Sequence, residues 1–160
     1  MAQDICVPVG DGIVNVRVGA IIEKDGKLLM VANADVDYYY SVGGRIQIGE
    51  SAEDAVRREV WEETGCALEI DRLGFIHEDF FWGDSPSNRG KLIYEIGFYY
   101  YMKTPADFEP HRENLEAEGR GEHLEWVSPD TEKTVFPAFF RTELANPTPY
   151  VRHMVTDERN

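Results

Sequence analysis

Residues 13–22, Ile-Val-Asn-Val-Arg-Val-Gly-Ala-Ile-Ile, alternate apolar and polar at first and then run apolar, as a strand does on entering a core. Asp25-Gly26 is a hairpin turn signal, and Lys27 to Ala32 reads as the returning strand. Tyr38-Tyr39-Tyr40-Ser-Val leads into a turn at Gly43 and Gly44. The period then becomes helical. Ser51 with Asp54 has nearly the form of a capping box, so a helix is expected to start at about Ala52. Gly65 stands where a left-handed cap ends it after Thr64. Residues 67–82 read as extended, closing on Phe80, Phe81 and Trp82, and 83–90 as a loop. Residues 91–102 carry the longest strand signal, and His123 to Val127 a short one. The polar, acidic stretch 103–121 is expected to be mobile, Pro137 to Ala145 to form a closing helix, and the last residues to fray. No repeat or linker interrupts the chain, so residues 1–160 read as one domain. Hairpins around a central helix and a closing helix predict an α+β fold, a mixed sheet between helices.

Composition narrows the setting. At 160 residues, 42% hydrophobic and 29% charged, the chain has the make-up of a globular domain with a real core. Apolar runs are short and interrupted, so no signal peptide, membrane span or membrane partner is expected. Cys6 and Cys66 make no disulfide framework, and no His/Cys group has zinc spacing; a cytoplasmic home is the default. The net charge of −14 repels polymeric nucleic acid at long range, yet a small anionic ligand is compatible with it if bound metal inverts the local field.

The helix carries the chemistry. At about 100° per residue, Ala52, Ala55 and Val56 share a face, and Glu59, Glu62 and Glu63 fall on that same face one turn later. Asp54, Arg57 and Trp61 point elsewhere. Solvated glutamates would lie opposite an apolar stripe. Three carboxylates at i, i+3 and i+4 also repel one another. Partly buried carboxylates call for a cation, and oxygen ligands suit Mg²⁺ or Mn²⁺. The adjacent glycine pair lets backbone approach a metal or a phosphate closely.

The stretch Gly44 to Cys66 resembles the signature of the Nudix hydrolases, G-x5-E-x7-R-E-U-x-E-E-x-G-U with U a bulky apolar residue. Gly44, Glu50, Arg58, Glu59, Glu62, Glu63 and Gly65 fill all the fixed places, and Cys66 is the one departure, in the final apolar place. Chance agreement is on the order of 10⁻⁸ per start point, too rare for a coincidence in a chain this short. The resemblance implies an α/β/α sandwich. It also implies metal ligation by Glu59, Glu62, Glu63 and the carbonyl of Gly43, an orienting role for Arg58, and support of the loop or an outer metal site by Glu50. The implied reaction is hydrolysis of a nucleoside diphosphate linked to another group. The general base is either Glu59 or a glutamate of the distal acidic segment, Glu122 first and Glu118 second, with Glu113 and Glu116 also available.

Arg45, Arg17, Arg89 and Phe81 are the candidate contacts to substrate, Arg45 because it directly follows the glycine pair. Lys91, His77 and Glu78 are weaker candidates, and most of the aromatic residues are expected in the core. The expected partner is a small-molecule nucleotide, with a homodimer admitted as an assembly. Two rival readings are a Nudix-fold module that binds a nucleotide without chemistry, and a calcium-binding protein. The first commonly loses motif glutamates, none of which is lost here. The second would need an EF-hand loop, and after Asp35 and Asp37 the glycine and closing glutamate are misplaced.

Overall fold

The computed structural model describes residues 2–116 and 119–160. In chain order the elements are β1 (Cys6–Val9), β2 (Gly12–Ile21), β3 (Glu23–Lys24), β4 (Lys27–Asn33), β5 (Tyr38–Arg45), α1 (Ala52–Thr64), β6 (Glu69–Trp82), β7 (Leu92–Lys103), α2 (Glu113–Glu116), β8 (Glu122–Val127), β9 (Thr134–Phe136), α3 (Phe140–Glu143) and β10 (Arg152–Asp157). The strands make one mixed sheet with the path β10-β6-β7-β2-β5-β4-β3; β1 adds to β2, β8 to β4 and β9 to β5. β2 runs parallel to β7 over its whole length and antiparallel to β5 through Arg17–Ala20. β5 then turns its earlier residues to β4, so it bridges the two halves of the sheet.

Strand alternation sends side chains to two cores. Val18, Ala20 and Ile22 pack with Val42, Ala55, Val56, Val60 and Leu115 on the face covered by α1 and α2. Ile21, Phe75 and Tyr99 pack with Phe139 and Phe140 on the other face, beside α3. Each fully buried Val, Leu, Ile or Phe among them contributes roughly 1.5–3 kcal/mol. Helical material on both faces of a mixed sheet agrees with the expected α+β architecture.

The ends of α1 follow the expected chemistry. Ser51 Oγ accepts the Asp54 amide at 3.1 Å, and Gly65 sits at φ 70° with its N–H on the Trp61 carbonyl. Along the helix, Val60, Glu63 and Thr64 join Ala55 and Val56 in burial, while Glu62 stays 46% exposed at its outer edge.

Three segments differ from expectation. The closing helix is a single turn, Phe140–Glu143, because Phe139 and Phe140 are drawn into the second core. The terminus does not fray: Arg152–Asp157 pairs in parallel with Phe75–Phe80 of β6. Its polar-rich pattern hid it, since an edge strand buries only alternate residues. Within 103–121, Phe108 and Leu115 are buried, and the His111 amide donates to the Thr64 carbonyl at 2.6 Å, which docks this segment on the end of α1. Ala117 and Glu118 lie outside the described residues. β1 and β9, with four and three residues, were too short to carry a period. Among the described residues no helix is long and apolar enough to cross a membrane.

A Cβ on Gly65 would meet the His111 ring at 2.7 Å on a backbone already at positive φ. Gly65→Ala is therefore expected to destabilise the fold by about 1–2 kcal/mol. Urea unfolding followed by circular dichroism measures the loss.

Candidate active site

Arg58 is the hub on the solvent side of the α1 glutamates. Its Nε and Nη2 fork onto the Glu50 carboxylate at 2.7 and 3.0 Å, and Nη1 reaches Glu59 at 2.8 Å and Glu62 at 3.3 Å. Nη2 also donates to the Arg45 carbonyl at 2.9 Å, which ties the helix to the end of β5. Glu50 in turn accepts the Gln47 amide at 3.0 Å, closing the loop between β5 and α1. The Arg58 hydrogen bonds hold the Glu50 carboxyl below its usual range and the guanidinium above its own.

Gly44 is a spatial requirement of this arrangement. A Cβ there would stand 2.4 Å from Glu59 Oε1, so only glycine lets that carboxylate lie against β5. Gly43, at φ 150°, is held as closely from the other side, where a Cβ would meet the Val18 carbonyl at 2.1 Å. Its backbone lies close enough to Glu63 to favour the charged carboxylate.

Glu63 is the most buried of the acidic group, at 8% exposure, and its Oε2 has no hydrogen-bond partner. Burial pushes its carboxyl well above the usual range, and the neighbouring Glu59 adds to the shift. Burial raises Glu59 too, against the opposing pull of Arg58. A buried carboxylate with an orphaned oxygen is costly unless a cation completes it. The donors are all hard oxygens, so they suit Mg²⁺ or Mn²⁺. Among the described residues no three His, Cys, Asp or Glu side chains already converge as a ligand set, and Arg58 engages oxygens of both Glu59 and Glu62.

Glu122, at the start of β8, joins this group electrostatically by raising Glu63 further. The Tyr40 hydroxyl donates to its Oε2 at 2.8 Å, and Arg120 Nε stands 3.6 Å from Oε1. The other sequence candidates separate. Arg17 has Nη1 3.9 Å from Glu95 and its Nε buried without a hydrogen-bond partner, and its charge acts on Glu63 as well as on Glu95. Arg45 donates from Nε to Asn15 Oδ1 at 2.9 Å, and Asn15 donates onward to Glu95 at 2.6 Å. Phe81 lies farther along the same sheet face, opposite Ile93. Arg89 is exposed on the loop after β6, and no contact brings it to the glutamates.

Sequence reasoning passed over Asn15, Asp79 and Glu95. With Arg17 and His77 they form a polar niche on the sheet face opposite α1. The signal was there: each is a polar residue at alternate positions within an otherwise apolar strand, where solvent exposure should have been doubted. His77 is buried, donates to or accepts from Thr156 at 2.8 Å, and is pushed by burial toward its neutral form. Asp79 has a buried, unpartnered Oδ1, and burial beside Glu95 raises its carboxyl to about 7.

The acidic face of α1, the orphaned Glu63 oxygen and the glycine cradle mark the candidate active site. Comparison with known proteins gives the family. The NUDIX domain model matches residues 14–145, and the chain belongs to the Nudix family. A MutT-like protein of Streptomyces ambofaciens is 38% identical over 61 residues, covering 38% of this chain and 40% of that protein. An ADP-ribose pyrophosphatase of Methanocaldococcus jannaschii is also 38% identical over 61 residues, 36% of each chain. Both matches span less than half the relative's length. The crystal structure of a MutT NUDIX hydrolase from Burkholderia pseudomallei superposes with a TM-score of 0.53 at 25% identity, covering 73% of this chain and 84% of that one.

Asp79 gives the site a pH signature. Its folded carboxyl holds a proton up to about 7, whereas an unfolded aspartate releases it near 4. The folded state binds the extra proton, so stability falls as pH rises between those values. Asp79→Asn is expected to lessen that fall, Glu59 and Glu63 still contributing to it, and to be more stable than the parent at pH 8. Denaturation midpoints of both proteins from pH 5 to 8, in chelator, measure it.

Proposed function

We propose that this chain is a divalent-metal-dependent hydrolase of the pyrophosphate bond in a nucleoside diphosphate linked to another group. The observation that carries the reading is Glu63: a buried carboxylate with an orphaned oxygen, set beside Glu59 in a glycine cradle. Glu59, Glu62 and Glu63 would hold Mg²⁺ or Mn²⁺, with backbone of Gly43 alongside. When bound, the metal neutralises phosphate charge and acidifies a coordinated water.

The protein's own groups supply the rest. Arg58 fixes Glu59 and Glu50 in place and so acts as a positioning residue. Arg17 offers a guanidinium with an unused buried donor next to the glutamates, suited to a phosphate oxygen. Arg45 closes the niche through Asn15. Phe81, on the same face, is suited to contact the nucleoside, and Arg89 would reach only a substrate extending beyond it. Glu122 is the proposed base: Tyr40 orients its carboxylate, which takes a proton from the attacking water. Water then bonds to phosphorus as the bridging P–O bond breaks, releasing a nucleoside monophosphate and phospho-X, or a nucleotide and pyrophosphate. ADP-ribose, named for the Methanocaldococcus jannaschii relative, is a compound of this class and a first substrate to test.

The test is turnover of ADP-ribose, sugar nucleotides, dinucleoside polyphosphates and nucleoside triphosphates with Mg²⁺ and Mn²⁺, followed by chromatography. At least one should be cleaved, and Glu63→Gln should lower kcat/KM for it by about 100-fold or more. Glu53→Gln, on the exposed side of α1, should be nearly silent. No turnover anywhere on the panel, or equal loss in both variants, contradicts the reading.

A further inference from the structure

The niche on the sheet face opposite α1 is ordered in rows that cross the strands. Register sets Arg45, Arg17, Gly97 and His77 side by side, then Asn15, Glu95, Asp79 and Thr156, then Ile13, Ile93 and Phe81. Partners in register share a face, and each row stands about 6.6 Å along the strands from the one before. Asn15 is held between Arg45 and Glu95, and His77 Nε2 is taken by Thr156 at 2.8 Å. Two buried atoms are left without a partner, Arg17 Nε in the first row and Asp79 Oδ1 in the second. Glu95 and Glu158 face Asp79 with like charge, so neither can supply the donor its oxygen lacks. Thr156, at the end of the second row, belongs to β10, which lies beyond residues 14–145, the segment that defines the family.

We propose, resting on the nucleotide reading of the function, that Asp79 is the sugar contact of the substrate: its carboxylate accepts the hydroxyls of a ribose whose phosphate meets Arg17 and whose base lies on Phe81. In every nucleotide the sugar stands between phosphate and base. The three rows repeat that order, with a guanidinium that has a free donor, then a carboxylate that has a free acceptor, then an apolar row ending in an aromatic ring. The charge of Arg17 acts on Glu59 and Glu63, which fixes the phosphate end. A carboxylate only accepts, and its two oxygens match the two neighbouring hydroxyls of a ribose. A base read by Asp79 would instead sit one row nearer the phosphate than Phe81, the ring able to stack on it. The substrate class is therefore a ribonucleoside diphosphate derivative, selected against its deoxy counterpart because the latter leaves the Asp79 oxygen unpaired.

Equilibrium binding tests the contact without chemistry. The four ribonucleoside diphosphates are titrated with Ca²⁺ in place of Mg²⁺, each beside its 2′-deoxy and 3′-deoxy counterparts. The parent should bind at least one of them about tenfold or more tighter than a deoxy counterpart, the size of one hydrogen bond to a charged group. Asp79→Ala should bring that ratio to within about twofold, and Asp79→Asn, which keeps one acceptor oxygen, should fall between. Glu53→Gln, on the exposed side of α1, should keep the parent's ratio. The ratio cancels any loss of folded protein, so a merely structural role for Asp79 would leave it unchanged. Absence of ribonucleotide binding, equal affinity for ribo and deoxy forms throughout, or a ratio that survives Asp79→Ala overturns the proposal. So does an Asp79→Ala variant that loses discrimination among the four bases and keeps the sugar ratio, which would mark a base contact. Hydrolysis is measured apart: ribonucleotides that bind but are never cleaved with Mg²⁺ contradict the proposed activity and leave the sugar contact in place.

Discussion

A carboxylate taken out of water without a full set of hydrogen bonds is the constraint around which this fold is arranged. Glu63 lies within the buried face of α1, beside the backbone of Gly43, and leaves Oε2 unpartnered. In a core that tolerates few such groups, the cost persists only where something else repays it. Here Glu59 crowds the same space, and Glu122 approaches from β8. Arg58 gathers the outer members of the group, Glu50, Glu59 and Glu62, but is not hydrogen-bonded to Glu63. The acidic centre is therefore balanced at its rim and unbalanced at its heart.

The sheet is built to allow this. Two consecutive glycines in β5 let the strand approach both the Glu59 carboxylate and the Val18 backbone, distances that any Cβ would forbid. The cap at Gly65 and the docking of His111 on Thr64 fix the far end of α1. On the opposite sheet face the niche of Arg17, Asn15, Asp79, His77 and Glu95 places a cation nearest the helix and carboxylates farther along β6 and β7. That polarity suits a ligand with phosphate at one end and hydrogen-bond donors at the other.

Much of this was legible in the chain, for identifiable reasons. The span of α1 followed from its caps, and its acidic face from spacing, since both are local rules. β2, β4 and β7 announced themselves by alternation and by short apolar runs. What escaped depended on distant partners. β10 is a strand only because β6 offers an edge, and the single turn of α3 is short because Phe139 and Phe140 are needed in the second core. Asn15 and Glu95 carried no functional reading until the register of β2 against β7 set them side by side. Arg89 looked like Arg17 in sequence, and only the fold separates them.

The account rests on Glu63 gaining a cation, so metal binding without substrate tests it most directly. Mn²⁺ titration followed by electron paramagnetic resonance gives affinity and stoichiometry for the parent, Glu63→Gln and Glu53→Gln. The parent and Glu53→Gln should bind alike, and Glu63→Gln should bind at least about tenfold more weakly while remaining folded. Equal affinity in all three proteins would contradict the central role assigned to the buried carboxylate.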